Sequence, residues 1–175
     1  MAVYPTGPYG FNVGNTISDF TFLGYQDGGR QFTDIDLSDY YDPSGTKGIK
    51  ALFLSLGRSS CGACVAQAGS MNTWDTQYRS KGLRQLEALH TDIKPVDPTP
   101  GTPKDFTARQ STALDWIAKY ASRYDVVIDP TYQLNKGVKP ISDPRGWLID
   151  TKTMKIVKTY NGAPGFLQGL DALLK

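Results

Sequence analysis

Cysteine is scarce in this chain: two among 175 residues, Cys61 and Cys64, with no thiol elsewhere. Histidine is scarcer still, with His90 alone. Two cysteines, one histidine and scattered carboxylates fall short of the soft ligands that zinc requires, so no metal is expected. No run approaches the roughly 20 apolar residues of a membrane-spanning helix, and "ALFLSL" is only strand-sized. Charge of one sign is also missing. The balance of 19 basic and 17 acidic residues leaves +2, which gives no electrostatic reason to expect nucleic acid or an anionic membrane as partner. Met1 leads straight into "AVYPTGPYG", without the basic and apolar regions of an export signal. That fits a cytosolic protein, and equally a mature form whose signal has been removed.

What is present is ordinary for a folded domain. Hydrophobic content is 39% and charged content 21%, and the length suits one domain with a real core. Residues 1–16, rich in Gly, Pro, Tyr and Asn, read as a lead-in or spacer, with a single domain over 17–175. "FTFLGY", "DGGR" and "QFTDIDL" predict two short strands and a Gly-rich turn, and "LSDYYDPSG" a helical turn ending at Pro43. "IKALFLSL" is the unbroken apolar run of a strand buried on both faces.

From Gly62 the period becomes helical, with Val65, Ala68, Met71 and Tyr78 on one stripe and "KG" at 81–82 as a stop. "LRQLEALHTD" predicts another strand. After the proline-rich loop 93–103, Thr102, Pro103 and Asp105 predict a helix start, and Phe106, Ala113, Trp116, Ile117, Tyr120 and Tyr124 its apolar stripe. "DVVID", "GWLID" and "KIVKTY" predict strands. Phe166, Leu167, Leu170, Leu173 and Leu174 predict a closing amphipathic helix. The order β-β, β-α-β-α-β-β-α implies an α/β fold with parallel central strands and an antiparallel end.

The chemistry concentrates in "LGRSSCGACVAQAG". A Cys-x-x-Cys at a helix start admits four readings. A zinc site lacks ligands. A structural disulfide closing so small a loop constrains the unfolded chain little. Coincidence leaves the motif unexplained. A redox dithiol fits: helix N-terminal N–H groups and the dipole stabilise a thiolate at the first Cys, and the second sulfur comes within bonding reach one turn on. The β-α-β context favours this last reading.

"LFLSLGRSSCGAC" before a helix, and "DPRGWLIDTKTMKIV" near the end, resemble the thioredoxin superfamily and, within it, the TlpA/ResA-like (redoxin, AhpC/TSA-like) branch. "ISDFTFLGYQDGGRQFTDIDLSDY" is similar to that branch's opening segment. The resemblance implies a thioredoxin-like three-layer α/β/α sandwich, its central mixed sheet carrying an N-terminal β extension. It implies thiol–disulfide exchange with protein substrates and an unknown redox partner, and no cofactor. It implies Cys61 as nucleophile, Cys64 as resolving thiol, and Pro144 as the cis-proline that faces them and binds substrate. Pro140 is a rival position, but the strand register favours Pro144. Asp143, Ser60, Gly62 and Ala63 would complete the substrate surface. Members of the branch are commonly exported and membrane-tethered, which favours an extracytoplasmic place over a cytoplasmic one.

The sequence departs from that pattern. Ser60 stands where Trp usually precedes the first Cys. Ser55 and Gln67 stand where a buried acid is usual, so deprotonating Cys64 is left to water, the backbone or another side chain. Arg58 is a candidate for tuning Cys61. Asp143 either opposes the Cys61 thiolate or points to water. The Pro and Thr that a peroxidase places seven and three residues before its reactive Cys are Leu54 and Arg58 here. A redox-silent binding module on the same fold is the non-catalytic alternative.

Overall fold

The computed structural model describes residues 3–91, 108–136 and 143–175. The unbroken apolar run becomes β3 (Ala51–Arg58), buried from Ala51 through Gly57. It sits between the parallel β4 (Leu83–Thr91) and the antiparallel β6 (Arg145–Asp150). The hairpin of β1 (Thr21–Tyr25) and β2 (Phe32–Asp36) joins the sheet through β5 (Asp125–Ile128), and β7 (Lys155–Asn161) closes the other side. The seven strands run β2-β1-β5-β4-β3-β6-β7, a mixed sheet with the hairpin as its N-terminal extension.

Alternation along β3 sends side chains to two cores. Phe53 meets Met71, Trp74, Trp116 and Leu148 in one, while Leu52, Leu54 and Leu56 meet Trp147, Ile149, Ile17 and Leu37 in the other. The helices α1 (Gly62–Tyr78), α2 (Gln110–Tyr120) and α3 (Leu170–Leu173) supply the first core. The second face is covered by the 3-10 turn Leu37–Tyr40, Leu134 and the lead-in. The lead-in docks rather than dangles. Trp147 donates its indole N–H to the Phe11 carbonyl at 3.1 Å, and Gly14 and Asn15 exchange backbone bonds with Ile156 of β7.

Three local expectations need correction. Helix α2 starts at Gln110, not near Pro103: Arg109 is extended (φ −132°), and its N–H donates to the Thr112 hydroxyl. The signals at Thr102, Pro103, Asp105 and Phe106, like the loop 93–103 and Pro140, lie outside the described residues. Tyr124 lies beyond that helix, because Ala121 turns left-handed (φ 50°) and ends it; its ring still packs in the first core. The closing helix is one turn. Gly169 at φ 94° interrupts the leucine period, and Phe166 is left 71% exposed.

Candidate active site

At the carboxyl end of β3 the chain turns through Ser59 and Ser60 into α1. Cys61 is the N-cap of that helix, and its sulfur accepts the Cys64 N–H at 3.2 Å. The two cysteines are paired at disulfide distance, with Cα atoms 5.2 Å apart. Cys61 is 9% exposed and Cys64 1%, so the first sulfur borders solvent and the second lies beneath the helix. Gly62, Ala63 and Ser60 are exposed around them. The turn is tied to β4 by the Ser59 N–H and hydroxyl, both on the Thr91 carbonyl at 3.3 Å.

The segment entering β6 faces Cys61. The Asp143–Pro144 peptide bond is cis, and the Asp143 carbonyl oxygen lies 3.5 Å from Cys61 Sγ. The Pro144 carbonyl is occupied by the Gly162 N–H at 2.8 Å, so within this pair the backbone oxygen turned towards the motif is that of Asp143.

The Asp143 side chain does not point to water. It is 5% exposed and points inward: Oδ2 accepts from Arg58 Nε at 2.8 Å, and Oδ1 lies 3.1 Å from His90 Nε2. His90 Nδ1 is in turn 2.6 Å from the Thr91 hydroxyl. The neutral Nε2–H tautomer satisfies both contacts, donating to Asp143 and accepting from Thr91. Arg58 and Asp143 therefore form an ion pair at the end of β3.

Beneath α1 lies a second polar group, and it holds a residue that sequence reasoning missed. Glu87 of β4 is the register partner of Ser55 on β3, and both are buried with Gln67 of α1. Gln67 Nε2 donates to Ser55 Oγ at 2.5 Å. The Glu87 carboxyl reaches over Gly57, where a methyl group would meet its Oε1 at 2.6 Å and Cys64 Sγ at 3.2 Å. Burial pushes Glu87 up to about 8; hydrogen bonding from Ser55 and Gln67 pulls it partly back, and the nearby Asp143 charge adds to the rise. Its proton affinity thus comes close to the roughly 8.5 of an ordinary thiol. The only sequence signal was a lone acid inside the apolar run "LEALH", and its proximity to Cys64 depends on the β3–β4 register.

Solved structures with the same architecture are numerous. A candidate thiol:disulfide interchange protein DsbE from Chlorobium tepidum superposes with a TM-score of 0.69 at 20% identity, over 95% of this chain and 100% of that one. The thioredoxin domain of a thiol-disulfide oxidoreductase from Bacteroides vulgatus gives 0.61 at 13% identity, over 86% and 89%. The chain has the thioredoxin fold. AhpC from Enterococcus faecalis gives 0.61 at 12% identity, over 93% and 87%, so the fold is shared with that protein too. Neither the known family profiles nor the curated proteins give a match. The resemblance read from the sequence therefore holds at the level of the thioredoxin fold, with two cysteines at bonding distance in its motif.

Proposed function

We propose that the protein is a thiol–disulfide oxidoreductase exchanging disulfides with polypeptide substrates through Cys61 and Cys64. The observation that carries this reading is the cysteine pair at the N-terminus of α1, with Cys61 at 9% exposure bordering solvent and Cys64 beside a buried acid. In the reducing direction, the Cys61 thiolate attacks a substrate disulfide. One Cys61–substrate bond forms, and one substrate sulfur leaves as thiolate. The ionised form of Glu87, a minor fraction at neutral pH, then takes the Cys64 proton, and Cys64 attacks Cys61 Sγ. The Cys61–Cys64 bond forms, and the second substrate sulfur leaves. The reverse sequence oxidises a dithiol, and the potential relative to an external thiol partner sets which direction runs.

Asp143, Pro144, Ser60, Gly62 and Ala63 form the surface a substrate chain would meet, with Arg58 and Gln67 supporting the two polar groups. A peroxidase reading finds Leu54 and Arg58 in place of the Pro and Thr such chemistry uses. We place the protein outside the cytoplasm, on the resemblance to an exported branch and on cysteines confined to the motif. No helix among the described residues is long and apolar enough to cross a membrane.

The test is trapping. Cys64→Ser incubated with a peptide disulfide accumulates a mixed disulfide at Cys61, identified by mass, while Cys61→Ser accumulates none. Equal absence from both variants removes the reading.

A further inference from the structure

We propose that Arg58, Asp143 and His90 form a side-chain clamp that positions the Asp143 backbone for a bound polypeptide, making Asp143 a positioning residue for substrate affinity. This rests on the oxidoreductase reading above and assigns to that site a recognition element of its own.

The clamp has two arms from neighbouring strands. Arg58 ends β3, three residues before Cys61, and His90 stands next to the end of β4. Both reach the one carboxylate, at 2.8 Å and 3.1 Å. Each arm is itself anchored. Arg58 follows a register shift at Gly57/Arg58, and its carbonyl accepts the Cys61 N–H at 3.2 Å. His90 is held by Thr91 and lies against the Tyr132 ring, with centroids 5.0 Å apart. The carboxylate therefore ties the substrate-facing segment to the same strand ends that carry the Cys61 turn.

On its β6 side the segment is held by the sheet, with Arg145 opposite Leu56 of β3 and Asn161 of β7. Proline has no N–H, and the Pro144 carbonyl is committed to Gly162. On the motif side the Asp143 carboxylate adds a tie to Arg58 and His90, while the carbonyl of the same residue lies 3.5 Å from Cys61 Sγ. An extended substrate gains main-chain hydrogen bonds only if that backbone is already in place, since ordering it on binding would cost affinity. Arg58 is 48% exposed, yet its Nε is engaged, so its first task is structural rather than attraction of acidic substrates.

The experiment compares Asp143→Ala with Asp143→Asn in steady-state reduction of a peptide disulfide. Asparagine can still accept from Arg58 and donate to His90 in its other tautomer. Alanine can do neither. The expected result is a KM raised about 10-fold by Asp143→Ala with little change in kcat, and most of that loss recovered in Asp143→Asn. Arg58→Leu removes one arm from an exposed position and is expected to raise KM in the same sense, which keeps the test available should Asp143→Ala fail to fold.

Two results overturn the clamp. One is an equal loss in both Asp143 variants together with an equal shift in the pH profile of Cys61 alkylation, which would mean the charge acts on the thiolate. The other is an unchanged KM with a lowered thermal midpoint, which would mean a purely structural role. A wild-type protein that never exchanges with the peptide removes the parent reading, and the clamp's role with it, before any variant is compared.

Discussion

Glu87 stands opposite Ser55 across the β3–β4 ladder, and its carboxyl lies over Gly57 beside Cys64 Sγ. A side chain on β3 directly under the motif is one way to deliver an acid to the resolving thiol. Here the neighbouring strand delivers it, and the β3 residue is a small hydroxyl that leaves room. The cluster of Ser55, Gln67 and Glu87 occupies the space between sheet and helix that an apolar core would otherwise fill. An ionisable group buried there costs stability, and a role in proton transfer would account for its presence.

Glu87→Gln removes the proton acceptor while keeping the shape. Release of the mixed disulfide is expected to slow about 100-fold at neutral pH, and the wild-type dependence on a group near 8 should vanish from its pH profile. Rapid acid quenching of a single turnover measures this. Attack by Cys61 on the substrate should change much less.

The same residue sets a pH dependence of stability. The fold raises Glu87 from 4.5 to about 8, so it favours the protonated acid. Below the unfolded value both states carry the proton and that preference is fully retained. Between about 4.5 and 8 the unfolded chain ionises while the folded one stays mostly protonated, and stability falls as pH rises. Glu87→Gln should therefore gain on the wild type steadily across that window in urea unfolding.

Gly57→Ala tests the close approach above the glycine. The added methyl group meets the Glu87 oxygen and the Cys64 sulfur, both held by packing. A loss of about 1–3 kcal/mol in unfolding free energy is expected, as for other overpacked sites. Gly69→Ala, on the exposed face of α1 with open space around its Cα, should be neutral or mildly stabilising.

A second buried carboxyl lies far from the motif. Asp125, at the start of β5, accepts the Tyr40 hydroxyl and the Asp27 N–H. Burial raises it from 3.8 to about 6 despite those bonds. Stability linked to it is present below about pH 4 and declines as pH climbs through 6. Asp125→Asn should flatten that part of the profile without altering exchange kinetics.

The sequence was readable where one local pattern decides structure. The run from Ala51 to Gly57 could only be a central strand, and the hairpin turns and the helix after Cys61 carried their own signals. It misled where local signals compete with chain geometry. Helix α2 begins at Gln110 without the Pro or Asp that mark a helix start, and regular leucines after Leu167 hide the break at Gly169. The site split the same way. Cys61 and Cys64 pair, and the segment Asp143–Pro144 brings its carbonyl to within 3.5 Å of Cys61 Sγ. Glu87 and His90 enter only through strand register, which no single segment encodes. The pairing of Arg58 with Asp143 is likewise a contact between residues 85 positions apart, read as two separate charges in the sequence.

The most direct test of the account is the reduction potential of the Cys61–Cys64 pair in the intact protein. It is equilibrated in graded thiol and disulfide buffers, and free thiols are counted by alkylation and mass. The account predicts one reversible two-electron transition above about −300 mV, in the range of working exchange proteins, with the fold retained on both sides. A bond that opens only on unfolding, or thiols that never pair, would contradict it and leave a redox-silent domain on a thioredoxin fold.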